Sequence, residues 1–440
     1  MGILVGIGQT DPTFAYNYYY GVEFDSSVAA TDGTRLGLDS LHASVPIQSN
    51  MKRCVLKDDG TVNYYLGAND STKTAAGGTA ILDGTDGQVM VEIPAHYRRF
   101  ETEGTKQRCY LSEYALPGFA LVPKSYVSAY EATVDRTNSK LASVVNTTTQ
   151  YRGGGNNASR DGADNTDLGM PATGISLTNF RTYARNRGVS GEHKWNCYTY
   201  ETHKTLAWLF MVEYATRNSQ ATYHAELSEA GFHIGGLGPG VSTVSSGDWS
   251  SFNGYYPLVP CGTTNSLGNK TGVVSYALPS SFGSGSVTVS VPSYRGVENP
   301  FAHIWKWTDG VLFEIKSDAD GGTSKAYTCP DPANYASSLN TANYEYKTDV
   351  PRADGYVKTI GFGEEGDLFP TATGGSSTTF ICDYWYTNIP ASGTPSRGLL
   401  LGGNANNGAY CGFAYLGSNS TPSFTYANFG SRLCFIPEAA

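Results

Sequence analysis

Residues 397–440 read RGLLLGGNANNGAYCGFAYLGSNSTPSFTYANFGSRLCFIPEAA. A turn at Gly402 and Gly403 opens the stretch, and a strand, Gly430-Ser431-Arg432-Leu433, closes it. Between them stand almost only Asn, Ala, Gly, Ser, Thr, Tyr, Phe and Cys, with no acid and no base. Tyrosine supplies rigid, amphipathic contact area at low entropic cost, while Ser, Gly and Asn supply adaptable hydrogen bonding. Together they make the composition of an evolved binding surface. A packed core needs Leu, Ile and Val, and a catalytic pocket needs ionisable groups; this segment is short of both.

The reading therefore places Asn404, Asn407, Tyr410, Tyr415, Leu416, Asn419, Phe424 and Tyr426 on a solvent-facing, ligand-contacting surface. The competing reading makes Tyr415, Phe424 and Tyr426 ordinary core aromatics. Gly402, Gly403 and Gly430 read as scaffold, because glycine permits turns that other residues cannot make. Arg432 is expected to form a buried, charge-assisted pair with a carboxylate. Upstream, CDYWYTN sets Tyr384, Trp385 and Tyr386 side by side. Alternation along a strand exposes either the tryptophan or the two tyrosines, and the tyrosines are assigned to the binding face. Trp305 and Trp307 share one strand face and read as core.

Working outward, 52 glycines and 31 tyrosines in 440 residues, with 16% charged and 40% hydrophobic residues, suit a loop-rich α+β protein with a substantial core. The length allows two or three domains, or one elaborated domain. A net charge of −9 argues against nucleic acid and anionic membrane surfaces. No window approaches the apolar length of a membrane span, so no membrane insertion is expected. The N-terminal MGILVGIGQTDPTFAYN lacks a basic n-region and cleavage site, and Gly6 stands where a myristoylation signal needs Ser or Thr. Eight dispersed cysteines, none in a CxxC pair, read as buried free thiols, with one or two disulfides left open.

Residues 1–50, with their YNYYYGVEF run, read as an attachment arm, or as a β-hairpin laid over the main body. From 51 to 170 the pattern is β-rich. CVLKDDGTVNYYL is a hairpin signal, QVMVEIP alternates to Pro94, and 147–170 is a loop. Two helices follow, the first from a Thr178 N-cap to Arg187 with Gly188 at C′, the second over about 201–218 and buried on most sides. SGSVTVSVPSY, YVKTIGF, TTFICDYWY and GLLLGG read as strands, and 320–350 as looser chain.

The GG-N-A-N-N-G string, the aromatic variable run and N-F-G-S-R-L-C-F resemble the variable region of target proteins of diversity-generating retroelements. QVMVEIPAHYRRFE, LVPKSYVSAYEA, FRTYARNRG, LAWLFMVEYATRNSQ, SYRGVENPFAHIWKWTDG and GGSSTTFICDYWYTN resemble tail proteins of phages and prophages of gut bacteria, of the Bacteroides type. The resemblance covers roughly 45–440. It implies a C-type-lectin-like fold, related to formylglycine-generating enzymes, over 171–440, with a variable region at about 380–428. It implies host attachment by a virion tail protein, acting outside the cell on a bacterial surface receptor, protein or glycan. Partners would be other tail proteins and two further copies of the chain in a homotrimer. A bacterial surface adhesin or lectin is the alternative.

An oxidase reading is weaker. The related enzymes bind copper through a close cysteine pair near the C-terminus, whereas Cys411 and Cys434 are far apart in sequence. No HExxH or GxSxG motif is present, so no catalytic residue and no cofactor is assigned. His193 and His203 around Cys197 suggest a metal site less well than a helix entry. Ser317 to Gly322 (SDADGG) is a weak calcium-loop match without the distal Glu. A structural calcium fits the fold but has no assigned position.

Overall fold

The closing strand Leu433–Phe435 sits inside a sheet built from the first half of the chain. It pairs on one side with Ser125–Ser128 and on the other with Trp195–Cys197, both antiparallel. Beyond Ser125–Ser128 that seven-stranded sheet continues through Gln88–Ile93, Lys52–Leu56, Val62–Gly67 and Asp70–Thr74. These coordinates are a computed structural model describing residues 16–237, 246–283 and 285–437. Residues 1–15, the beginning of the expected arm, lie outside the described residues.

The expected elements form where local chemistry favours them. Lys52–Leu56 and Val62–Gly67 make the antiparallel hairpin around Asp58, Asp59 and Gly60. Gln88–Ile93 lies between two neighbours and is buried on both faces, and Pro94 ends it. The first long helix spans Leu177–Arg185. Its N-cap is Ser176, whose hydroxyl accepts from the Asn179 N–H, two residues earlier than the expected Thr178. It ends before Gly188, with Asn186 in the right-handed region at its C-cap. The central helix, Tyr200–Tyr214, is capped by Thr199 and stopped by Ala215 in the left-handed region, short of the expected 218. It is apolar on nearly every side and runs through the core.

Residues 16–50 depart from the arm reading. Tyr20–Asp25 pairs with Thr34–Gly37 and with Lys106–Ser112, and Tyr20, Val22 and Phe24 are buried. The alternating apolar side chains of that strand belong to the same core as the closing strand, so residues 20–37 form a hairpin integrated into the body, followed by two short helices, Asp39–Ser44 and Pro46–Ser49. The same continuity removes a boundary at 170, since one contiguous core includes Tyr20, Val91, Leu209, Trp307, Tyr415 and Phe435. Two smaller apolar clusters flank it, one centred on Trp249 and Phe282, the other on Leu312 and Tyr344. Residues 320–350, expected to be loose, supply two strands, Ser324–Thr328 and Glu345–Asp349, at one edge of a nine-stranded sheet.

That larger sheet positions the variable region. Trp305–Ile315 pairs with Ser396–Leu401, which pairs with Leu416–Gly417, which pairs in parallel with Tyr384–Tyr386. Gly355–Ile360 continues beyond Tyr384–Tyr386, and Phe429–Gly430 pairs in parallel with Trp305 and Lys306. The protein is thus β-rich α+β.

Candidate functional site

The terminal segment crosses the sheet in short pieces joined by turns. Gly402 and Gly403 have φ of +84° and +79°, a region costly to any residue with a Cβ. A Cβ on Gly403 would lie 2.7 Å from Cys411 Sγ and 2.8 Å from the Tyr415 ring. Gly430 has ordinary φ but packs so closely that a Cβ would lie 2.5 Å from Ile304 Cδ1. All three are structural, for two different reasons.

Between the turns, the expected surface residues divide by environment. Tyr386, Tyr410, Phe424 and Tyr426 are exposed large aromatics. Tyr384 and Asn419 are half-buried. On the strand Tyr384–Tyr386, Trp385 is fully buried while Tyr386 faces out, as alternation requires. Tyr415 and Leu416, at 3% and 1% exposure, are not surface residues. Tyr415 lies 4.6 Å from the Trp305 ring, 6.0 Å from Tyr384 and 6.5 Å from Tyr410, centroid to centroid, so it is the buried support beneath the exposed rings. Burial pushes its phenol well above the ordinary value. Leu416 is held inside the sheet between two paired strands. Asn407 is half-buried, and its Oδ1 accepts the Asn404 N–H at 2.8 Å, so that side chain holds the turn and is not a free contact.

Two aromatic groups emerge. In one, Tyr410 stacks on Tyr384 at 4.2 Å with Tyr356 edge-on to both. In the other, Tyr386, Phe424 and Tyr426 rim a hollow of about 280 Å³. Trp305 and Phe429 lie at its base, and the amides of Asn404, Asn419 and Asn428 line it. Phe424 and Tyr426 are nearly parallel, 12° apart with centroids at 6.4 Å. The lining contains no carboxylate, ammonium, guanidinium or imidazole. Trp305, Asn428 and Phe429 lie outside the expected set: Trp305 reads as core, and Asn428 and Phe429 open the N-F-G-S-R-L-C-F string that follows the aromatic run. Trp307, by contrast, is wholly core.

Beneath the face the polarity reverses. Glu131 is buried with His303 Nδ1 at 2.5 Å and the Lys306 ammonium at 2.8 Å. His303 Nε2 accepts the N–H groups of Leu258 and Val259, which places its proton on Nδ1, directed at the carboxylate. Burial alone would raise the Glu131 carboxyl, but Lys306 and His303 outweigh it and hold it low, at about 2. Arg432 is fully buried, and among the described residues no carboxylate pairs with it. It donates to the carbonyls of Ser128 at 3.2 Å, Asn299 at 2.6 Å and Glu298. Glu131 is engaged by the Lys306 ammonium and the His303 Nδ1–H, and Arg432 fixes main chain instead. Asp383, next to the tyrosine strand, accepts the Ala414 N–H at 2.7 Å, and burial pushes its carboxyl well above the usual range.

Most of the remaining metal and redox candidates are engaged by protein groups, although His193 Nδ1 is buried without a hydrogen-bond partner among the described residues. All eight cysteines are buried and unpaired. His203 is a core residue, within 3.1 Å of the Tyr198 hydroxyl and 2.6 Å of the Phe413 carbonyl. Asp318 pairs with Arg352, and Asp320 accepts from the Gly393 N–H. A larger groove of about 1,140 Å³ runs past Arg98, Phe100, Lys347 and Glu365. Lys347 there pairs with both Glu345 and Glu365 at 2.9 Å.

Compared with known proteins, the chain matches no family model and no curated sequence.

Proposed function

We propose that the chain is a receptor-binding protein that carries its ligand site on the face formed by residues 384–428. One observation carries this reading. A charge-free rim of exposed aromatic rings stands on a sheet whose underside is tightly packed. Exposed, clustered large aromatics are costly to keep in water and mark contact surfaces. Here they alternate with amides, and none lies beside a nucleophile or an acid–base pair at the surface, so recognition is non-covalent.

The resemblance of the terminal motifs to variable proteins of diversity-generating retroelements sharpens the proposal. The fold would be C-type-lectin-like, and the protein would sit at a phage tail tip as a homotrimer and attach to bacteria of the Bacteroides type. Several copies on one virion would let weak single-site contacts add up. Support comes from the separation of roles: residues that shape the face are glycines and buried aromatics, while Tyr386, Tyr410, Phe424 and Tyr426 are free to change. The test is adsorption of purified protein to a panel of gut Bacteroides strains. Binding to a subset of strains, lost on Tyr386→Ser and Tyr426→Ser, is the expected result; adsorption to none of them, or adsorption indifferent to these residues, contradicts the reading.

A further inference from the structure

We propose that the hollow between Tyr386, Phe424 and Tyr426 is a subsite for an uncharged sugar ring of a surface glycan. This rests on the receptor-binding reading and names the chemistry it takes. The rings of Phe424 and Tyr426 present nearly parallel faces, and Tyr386 stands on the rim with them. An aromatic face is electron-rich and attracts C–H groups, and one face of a pyranose is a flat array of them. The volume, about 280 Å³, falls just below the usual range for small-molecule sites and suits one or two sugar rings better than a folded protein surface.

The polar groups fit hydroxyls. A hydroxyl both donates and accepts, and so does an amide side chain; three of them, Asn404, Asn419 and Asn428, line the hollow. Asn428 is the informative one. It is 4% exposed, and its Oδ1 is buried with no hydrogen-bond partner. A buried acceptor without a donor is costly and rare in folded proteins; this oxygen is closed to solvent, so a sugar hydroxyl in the hollow satisfies it once the amide turns outward. Charge selects among sugars. No cationic side chain lines the site, the neighbouring Arg397 guanidinium is held on the Asn419 carbonyl at 3.0 Å, and the chain carries a net −9, which disfavours a uronic or sialic acid. With no carboxylate in the lining, the hydroxyls are met by amides directly.

The test is saturation-transfer NMR on the full chain with methyl glycosides of neutral hexoses and N-acetylhexosamines, alongside glucuronic and sialic acid. A neutral glycoside should bind, the acids should not, and Asn428→Ala and Tyr426→Ser should each weaken it by about tenfold or more. Tyr426 is exposed, so its variant carries the test should Asn428→Ala fail to fold. No neutral glycoside bound, acidic sugars bound equally well, or both variants unchanged would overturn the proposal. Cell adsorption measured on the same proteins separates the two readings. A chain that adsorbs through Tyr386 and Tyr426 but takes no glycoside has a protein receptor, and only the sugar proposal falls. A chain that takes a glycoside through Asn428 and Tyr426 but adsorbs to no strain keeps the sugar site and loses the receptor reading.

Discussion

Residues 295–306 and residues 384–426 touch one another where Phe301 meets Gly402 and where Trp305 meets Tyr415, yet their chemistry is opposite. The first segment is buried, charged and strained. Arg295, Asn299, Ala302 and His303 all have positive φ, each costing on the order of 1–3 kcal/mol. Their backbone is held by Arg432 on the Asn299 carbonyl, by His303 between Glu131 and two N–H groups, and by Lys306 on the carbonyls of Ala302 and Ile304. The second segment carries a single charged side chain, Arg397, which donates to the Asn419 carbonyl at 3.0 Å, and its outermost rings are uncharged and exposed. The difference teaches where substitution is tolerated. A buried network fails when one member is lost, because the others are left uncompensated. Exposed rings on a packed support are each replaceable without leaving a hole.

The largest effect should come from the network. Lys306→Met leaves Glu131 with His303 alone and should cost about 3–5 kcal/mol of stability in urea unfolding; a loss below 1 kcal/mol would mean that the pair is not holding the strained segment. Next is Tyr415→Ser, which removes the ring shared by Trp305, Tyr384 and Tyr410. It should destabilise by about 3 kcal/mol, as other large core truncations do, and a wild-type melt would put Tyr415 back on the surface.

A pH effect of similar or smaller size follows from His203, whose burial lowers its pKa from the ordinary 6.5 to about 4. Its neutral form is the folded form, so its contribution is complete above pH 6.5, begins to fall below that value, and is lost as pH drops through about 4. The shift corresponds to roughly 3 kcal/mol. Glu298 and Asp383 are buried carboxyls raised by burial and carry the opposite sign. The check is therefore a difference: between pH 7 and pH 4.5, wild type should lose more stability than His203→Gln. Equal losses would show that this ring is not the titrating group.

Much of the frame was legible, for identifiable reasons. The central helix announces itself by an apolar surface on nearly every side and a Thr199 cap, and the Lys52–Leu56 hairpin by Asp-Asp-Gly. The strand Tyr20–Asp25 was hidden among neighbouring tyrosines, although Tyr20, Val22 and Phe24 alternate. Ser324–Thr328 and Glu345–Asp349 were missed because the first, though buried, is mostly polar or small, and the second is an exposed polar edge strand, so neither has an apolar rhythm. Within the site, Trp385 and its flanking tyrosines followed strand alternation. Tyr410 and Tyr415 did not, because Tyr410 closes a 3-10 turn, irregular chain separates it from Tyr415, and no period relates their directions. Arg432 was recognisable as buried, but its partners are carbonyls brought from Ser128, Glu298 and Asn299 by the fold, and no sequence spacing reports those.

The smallest stability effect belongs to the face, and it is where the account is most exposed. Tyr426 is 44% exposed, so Tyr426→Ser should change unfolding free energy by no more than about 0.5 kcal/mol. Adsorption of that variant to a receptive bacterial strain, at a temperature well below its melt, should fall by a factor equivalent to about 1–3 kcal/mol. A folded Tyr426→Ser protein that adsorbs as well as wild type would contradict the claim that this face is the binding surface.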